Sequence, residues 1–397
     1  MKKWLCIFLI LASVKCREAY NPKPATNGDG ALVVEGVLNA NGITTISLSR
    51  TTRLSDKRIA PEIGAFLFIE DENSGASFPL QEKSGGLYQS EDLIFDAAEK
   101  YRLRITTYDN RQYATAFKDV ITTPVIDSLS WQQTGSGVEI FTHAHDDLNS
   151  TRFYKLDYEE DWEFHSAYRA TLYFREVPPD PAGNRFVLDY LVPSTQSVDL
   201  RLFICYNKRN SSNINIVSTD KLGSNVLYAP VRNIPHASIE LSVLYSINVK
   251  QYALSEEAYE FYSRMKKNTE SLGSIFDAQP SELSGNVTCT TDPGELVIGY
   301  VECTTVQTKR LFINNDQLAD WGYDLGCPVY VEPNPKFSEY PYPNDPALFE
   351  NIYARGLVPT TVAESGPFGE IKKFFVNTVR CVDCRQRGTN NKPDFWP

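Results

Sequence analysis

The chain has 397 residues, 42% hydrophobic and 12% aromatic, which is enough for two or three domains with hydrophobic cores of their own. Its 39 basic and 50 acidic residues give a net charge of −11, and no basic stripe interrupts this balance. A surface of this sign repels the nucleic-acid backbone, so nucleic-acid binding is set aside as a function.

Residues 1–15 have the pattern of an export signal. An apolar run from Trp4 to Val14 follows two lysines, and it is too short to span a bilayer core of roughly 30 Å. The run ends at Cys16 and so resembles a bacterial lipoprotein signal, in which Cys16 carries the lipid and residues 16–30 form a tether. The alternative is an ordinary secreted protein, cut a few residues later, with a free thiol at Cys16. Both alternatives predict an exported protein.

Residues 31–124 have the pattern of a β-sandwich. β-rich runs at 31–39 and 43–51 flank Ala40-Asn41-Gly42, which is a hairpin signal. Further short strands follow at near-regular spacing, separated by turn residues, and Pro124 closes the unit. This spacing predicts a sandwich of immunoglobulin or prealbumin type.

Residues 125–397 predict a larger β-rich domain with one amphipathic helix at 255–270. Ser255 is a favourable N-cap, and apolar residues recur at helical spacing from Ala258 to Met265. That apolar stripe predicts packing on the protein's own sheet, with a partner surface as the alternative. The predicted fold class is therefore mainly β.

The cysteines predict a disulfide-stapled tail. Six follow Cys16, and an even number in an exported chain favours disulfides over a zinc or thioredoxin-like site. These cysteines are Cys205, Cys289, Cys303, Cys327, Cys381 and Cys384. Only one Cys-x-x-Cys pair is present, and glycine, asparagine and proline follow it without starting a helix. We expect Cys381 and Cys384 to bridge to Cys327 and Cys289.

The stretch YKLDYEEDWEF at 154–164 is the strongest candidate for a metal site. On a strand it places Asp157, Glu159, Asp161 and Glu163 on one face and its aromatic residues on the other. Carboxylates on one face are potential calcium ligands, and His143 and His145, two positions apart, are potential zinc ligands. An acidic outer face over an aromatic inner face is also the ordinary pattern of a half-buried strand, and this interpretation is favoured. No metal or other cofactor is therefore expected.

Several stretches together resemble a family of Bacteroidetes outer-membrane lipoproteins of unknown function. These stretches are LVVEG at 32–36, YKLDYEEDWEF at 154–164, YSINVKQYALSEEAYEFY at 245–262 and CVDCRQRGTNNKPDFWP at 381–397. The resemblance spans most of the chain after the signal. Genes of this family typically lie beside those of TonB-dependent receptors, so it implies an accessory role at such a transporter and supplies no catalytic residues.

The resemblance also implies an outer-membrane location with a lipid anchor, at the cell surface rather than the periplasmic face. Asp127-Ser128-Leu129 is similar to the O-glycosylation acceptor of exported proteins in this phylum, which makes Ser128 a candidate for modification.

Three functions follow as hypotheses. The first is a non-enzymatic lipoprotein that binds a TonB-dependent transporter or its cargo. The second is a cell-surface module for glycan or peptide, since 22 tyrosines and 5 tryptophans can supply stacking platforms. The third, which is disfavoured, is a metal-assisted or acid–base hydrolase with converging carboxylates or histidines.

Overall fold

The computed structural model describes residues 30–52, 60–147, 149–178, 186–190, 202–270, 285–334 and 348–397. The predicted signal, the lipidation candidate Cys16 and almost all of the predicted tether lie outside these residues. No helix within the described ranges is long and apolar enough to cross a membrane.

Short strands make up most of the secondary structure of the described residues. The first strands are β1 (Leu32–Asn39), β2 (Asn41–Arg50), β3 (Ala60–Pro61), β4 (Phe66–Asp71), β5 (Ser77–Ser84), β6 (Leu87–Ile94), β7 (Lys100–Thr106), β8 (Gln112–Thr115) and β9 (Lys118–Asp119). The next are β10 (Ile126–Thr134), β11 (Gly137–His145), β12 (Phe153–His165), β13 (Leu172–Glu176), β14 (Phe186–Tyr190), β15 (Ile204–Asn210), β16 (Ile216–Ser218), β17 (Val226–Pro235) and β18 (Leu244–Leu254). The last elements are α1 (Glu256–Glu270), β19 (Val287–Cys289), β20 (Val297–Ile298), β21 (Glu302–Thr304), β22 (Val306–Asn314), β23 (Tyr330–Pro333), α2 (Leu348–Ala354), β24 (Leu357–Ser365), β25 (Ile371–Thr378) and α3 (Val379–Val382).

The first sheet contains twelve of these strands, in the order β19-β8-β7-β4-β5-β6-β2-β1-β20, with β3, β9 and β21 pairing at its sides. Its two end strands, β19 and β20, are consecutive in the chain and contact each other, so the sheet almost closes around its core. Alternate residues point inward, as Ile46 and Leu48 do on β2, because successive side chains on a strand face opposite sides. The immunoglobulin or prealbumin comparison stays a prediction.

Strands from far along the chain complete this sheet. Cys289 of β19 lies opposite Tyr113 of β8, and β21 pairs in parallel with β1. The carboxylate of Glu295, in the loop between β19 and β20, lies 3.3 Å from Arg50 and accepts a 2.9 Å hydrogen bond from the Tyr113 hydroxyl. The unit predicted over residues 31–124 therefore takes part of its sheet and core from residues 287–304.

Two further sheets pack on each other around a second core. The second sheet has the order β10-β11-β17, and the third has the order β15-β12-β18-β22, with β16 beside β12. Ile140 and Leu227 of the second sheet share one buried cluster with Phe164 and Ile247 of the third. The third sheet thus buries one face in this core and turns the other toward the first sheet.

The remaining strands form two small sheets. One has the order β23-β25-β24, and the other is the β13-β14 pair. Leu172 of β13 and Ile352 of α2 join Phe374 of β25 in a third hydrophobic cluster. The prediction of a mainly β fold is confirmed, and the helix predicted at 255–270 is α1.

Candidate functional site

The candidate site lies on the outer face of the third sheet and is set by the alternation of β12. Along this strand every second residue is buried, and the residues between them are partly exposed. Tyr158, Trp162 and Phe164 point into the core, as their alternation predicts, and Asp157 and Glu159 lie on the opposite face. The predicted division of the strand into two faces is confirmed.

A cleft separates this face from the first sheet. It consists of two adjoining cavities of about 520 Å³ and 390 Å³, walled by β1 and β2 on one side and by β12, β18 and α1 on the other. Both cavities are lined by Gly36, Lys155, Asp157, Lys250, Tyr252 and Tyr262. We call the two cavities together the cleft. Its position between two separately cored units is where ligand sites commonly occur.

Opposite charges are paired on the floor of the cleft. The Lys155 ammonium donates to the Asp157 carboxylate, and the Lys250 ammonium donates to Oε1 of Glu159 at 2.6 Å. Asp157 and Lys250 lie directly opposite each other on β12 and β18. Such pairs present both donors and acceptors to a ligand without a net charge of their own.

Two tyrosines surround the Lys155 ammonium. Its Nζ lies 5.2 Å from the ring centroid of Tyr252 and 5.6 Å from that of Tyr262, within cation–π range. Burial, with the nearby Asp157 carboxylate as a smaller cause, raises the pKa of both phenols above their ordinary value. Both hydroxyls therefore stay protonated at neutral pH, and the Tyr262 hydroxyl already donates to the Tyr300 carbonyl.

Helix α1 brings Tyr262 to the cleft. Its Ser255 N-cap accepts a hydrogen bond from the Ala258 amide at 3.2 Å and donates one to the buried Glu302 carboxylate of β21 at 2.6 Å. Ala258 and Phe261 are buried against Tyr300, so the apolar stripe packs within the protein, as predicted. The hydrogen bonds of the N-cap and the packing of the apolar stripe together fix α1 between the first and third sheets.

The C-terminal tail covers the other half of the same outer face. The Trp396 indole donates to Oε2 of Glu163 at 3.1 Å, and its ring packs edge-on against Tyr206. Phe395 lies beneath the Arg310 guanidinium, whose carbon is 3.6 Å from the ring centroid. The outer face of β12 is thus divided between the cleft, at Lys155 to Glu159, and the tail, at Asp161 to Glu163.

Two disulfides hold this tail, and one predicted partner is wrong. Cys327 bridges to Cys381 with Cα atoms 6.0 Å apart, which confirms the staple and its first partner. Cys384 bridges to Cys205 of β15, with Cα atoms 5.7 Å apart, and not to Cys289. Cys289 is a free thiol in the first core, as is Cys303, because β19 and β21 pair within the first sheet.

A buried ion network that we did not predict lies on the inner face of β12. Oε1 of Glu160, which has no exposed surface, accepts hydrogen bonds from Arg232 Nε at 2.8 Å and from the Tyr245 hydroxyl at 2.7 Å. Its Oε2 accepts one from Arg209 Nε at 2.8 Å. The sequence did carry a signal for this network: Glu160 occupies an inward-facing position of a strand whose residues alternate between core and surface. A buried carboxylate at such a position requires a buried cation as its partner.

The structure does not bring the metal candidates together. His143 and His145 lie on β11 in the second sheet, whereas Asp157 and Glu159 lie on β12 in the third sheet, each with a lysine partner. Among the described residues, no group of three or more His, Cys, Asp or Glu side chains is arranged to hold a metal ion.

The histidines instead belong to an aromatic row on the outer face of the second sheet. The rings of Phe141 and Tyr228 stack with centroids 5.0 Å apart, and His143 lies 4.8 Å from Tyr228. His143 Nε2 is 2.7 Å from the Ser130 hydroxyl, and Ser128 is exposed on the same strand as Ser130. Tyr228 is 58% exposed, so the row is open to solvent.

An exposed ion pair lies at the end of this row. His145 Nδ1 is 2.7 Å from Oδ2 of Asp127, and this hydrogen bond raises the pKa of the imidazole. Asp147 lies farther away, at 3.6 Å from His145 Nε2, and adds a weaker attraction.

Several solved structures show a distant likeness to this chain. One is the structure described as manganese lipoxygenase of Gaeumannomyces graminis with a partial structure of zonadhesin of Komagataella pastoris, at 9% identity, a TM-score of 0.15, and coverage of 58% of this chain and 90% of that one. Another is a pullulanase complexed with maltotriose from Anoxybacillus sp. LM18-11, at 11% identity, a TM-score of 0.14, and coverage of 55% of this chain and 24% of that one. A third is the chitinase ChiA74 from Bacillus thuringiensis, at 10% identity, a TM-score of 0.14, and coverage of 53% and 30%. The chain thus spans less than a third of the pullulanase and of the chitinase, and TM-scores of this size support no inference about activity.

No curated protein matches the chain. A family model does match, over residues 17–310, which is more than half of the sequence. The chain belongs to the family described as Domain of unknown function (DUF4249).

Proposed function

We propose that this protein is a non-enzymatic accessory of a TonB-dependent transporter and that it binds the transporter or its cargo in the cleft. A lipid on Cys16 anchors it in the outer membrane, facing the cell surface. The resemblance to outer-membrane lipoproteins encoded beside such receptors supports the partner and the location.

The cleft is the observation that carries the binding role. It is walled by two units with separate cores, and its charged floor is held in place by ion pairs before a ligand arrives. Preorganised polar groups of this kind lower the entropy cost of binding. The two carboxylates of the floor are each engaged by a lysine, an arrangement that serves recognition and needs no reaction.

The proposal is tested by affinity purification of the lipidated protein from native membranes in mild detergent. We expect a TonB-dependent receptor to co-purify with the wild type. Thr308→Trp places a large side chain into the cleft from an exposed strand position, and it should reduce the recovered receptor or cargo at least tenfold.

The matched control is Gln132→Trp, on a strand of the second sheet and away from the cleft, which should leave the recovery unchanged. Circular dichroism and thermal unfolding of both variants check that they are folded. Recovery of the wild-type protein alone, with no receptor, would overturn the proposed partnership.

A glycan-binding role is a second candidate, because the aromatic row of Phe141, Tyr228 and His143 offers an exposed stacking surface for a pyranose ring. Tyr228→Ala should then abolish binding on an array of oligosaccharides, whereas Tyr108→Ala, at another exposed tyrosine, should not. An array that shows no Tyr228-dependent binding rejects this candidate.

A further inference from the structure

We infer that the occupant of the cleft is an extended polypeptide segment that carries an aromatic side chain and charges of both signs. This inference rests on the proposed binding role and names the chemical class of the ligand. Its basis is that the protein already holds a polypeptide segment with aromatic side chains and charges of both signs, its own C-terminal tail, which turns at Pro393–Trp396 on the same face of the third sheet.

The contacts of the tail show what this face recognises. Phe395 packs under a guanidinium, and Trp396 combines edge-on ring contacts with a hydrogen bond to a carboxylate. Arg310 therefore places a cation over an aromatic ring, and Glu163 accepts a hydrogen bond from an indole N–H. Both are ordinary modes of peptide recognition.

The cleft continues the same pattern of side chains. Glu159 in the cleft is two positions from Asp161 on β12, and the Lys250–Glu159 pair stands beside the Arg310–Asp161 pair, whose charged atoms are 3.6 Å apart. Tyr252 and Tyr262 supply rings in the cleft, as Tyr206 and Phe312 do beneath the tail.

The spacing of these groups fits an extended chain. Same-face residues on a strand repeat about every 6.6 Å, and an extended ligand presents its own alternate groups at the same period. Carboxylates on the floor can accept from ligand amides or ammonium groups, and lysines can donate to ligand carbonyls or carboxylates. A ligand with charges of both signs can separate a lysine–carboxylate pair of the floor and form a new ion pair with each of the two side chains.

The floor of the cleft is less suited to binding a sugar than to binding a peptide. The rings of Tyr252 and Tyr262 face the Lys155 ammonium, and the Tyr262 hydroxyl donates to the Tyr300 carbonyl at 3.3 Å. These rings therefore offer little of the flat surface on which a pyranose stacks. The exposed aromatic row of the second sheet is the better surface for that chemistry.

The test is selection from a phage-displayed library of random dodecapeptides on the intact protein, with counter-selection on Thr308→Trp. Enriched peptides are synthesised with a fluorophore, and their Kd is measured by anisotropy on the wild type, Thr308→Trp and Gln132→Trp. We expect peptides that contain aromatic and mixed-charge residues, bind at least tenfold more weakly to Thr308→Trp, and bind Gln132→Trp as they bind the wild type. Lys250→Ala should weaken the same peptides, because it removes one cation of the floor.

Three results would overturn the inference. In the first, the selection enriches no peptide. In the second, the enriched peptides bind wild type and Thr308→Trp equally, as they would if they only displaced the tail. In the third, an oligosaccharide binds the wild type and loses its binding in Thr308→Trp. If Thr308→Trp still reduces the recovery of receptor or cargo in any of these cases, the proposed function stands. Only the inference that the ligand is a peptide is then rejected.

Discussion

The indole N–H of Trp396 donates a 3.1 Å hydrogen bond to Oε2 of Glu163, across 233 positions of the sequence. This contact joins the C-terminal tail to the central strand of the third sheet, beside the cleft. It makes the tail part of the core structure, because Trp396 is only 6% exposed.

Trp396→Ala should lower the free energy of unfolding by about 3 kcal/mol, since it removes a buried aromatic side chain and leaves a cavity over the sheet. Guanidinium unfolding followed by far-ultraviolet circular dichroism measures this. Phe368→Ala is the control, because Phe368 is 95% exposed, and its effect should stay within about 0.5 kcal/mol. Equal effects of the two substitutions would contradict the burial of the tail.

Neighbouring residues of β12 should differ sharply in their contribution to stability. Glu160→Gln leaves Arg209 and Arg232 without their shared buried carboxylate and should cost about 3–5 kcal/mol. Glu159→Gln weakens one partly exposed pair and should cost less than about 1 kcal/mol. Urea unfolding of the two variants, under one set of conditions, provides the comparison, and a Glu159 effect as large as that of Glu160 counts against the assigned faces.

Removal of the Cys205–Cys384 bridge should destabilise the fold strongly. The bridge joins residues 179 positions apart, and the chain-entropy model gives about 5 kcal/mol for a loop of that length, as an upper value. Cys205→Ala should also make the last residues of the chain sensitive to protease. The measurements are the unfolding midpoint and limited proteolysis followed by mass spectrometry.

Cys289→Ala is the matched control for this substitution, because Cys289 is a buried cysteine without a bridge. It should cost about 1 kcal/mol, from the loss of one buried sulfur atom, and should leave the tail resistant to protease. A protease-sensitive tail in Cys289→Ala, or a resistant one in Cys205→Ala, argues against the observed pairing.

The His145–Asp127 pair predicts a specific titration. Because the hydrogen bond to Asp127 raises the pKa of His145, Asp127→Asn should lower that pKa toward the ordinary value near 6.5. The stabilisation from the pair is fully present below about pH 6.5 and is lost as the pH rises through the raised value in the folded protein. The imidazole carbon signals in a nuclear magnetic resonance titration report the pKa directly.

Asp147→Asn is the comparison variant, and it should shift the pKa of His145 less, because Asp147 lies 3.6 Å from Nε2 without the short hydrogen bond. An unchanged titration in Asp127→Asn, or a larger shift in Asp147→Asn, would show that the attraction has another source.

Local chemistry made several features predictable. The two faces of β12 follow from the two-residue period of a strand, and α1 follows from its N-cap and apolar spacing. The stapled tail could also be anticipated, since paired cysteines in a sequence that begins with the pattern of an export signal favour disulfides. The cleft could not be predicted, because its walls come from β1, β12, β18 and α1, which local patterns do not place beside one another.

Sequence by itself therefore determined the β-rich class, the helix at 255–270, the outer charged face of β12 and the expectation that the Cys-x-x-Cys pair staples the tail. Tertiary structure alone decided that β19–β21 complete the first sheet and that Cys384 finds Cys205 and not Cys289. The physical reason is the distance along the chain over which each interaction acts. Turns, helix caps and the alternation of apolar and polar residues depend on only a few neighbouring residues. A disulfide, by contrast, needs two Cα atoms within about 6.8 Å, and that approach is set by how whole sheets pack and which strands pair.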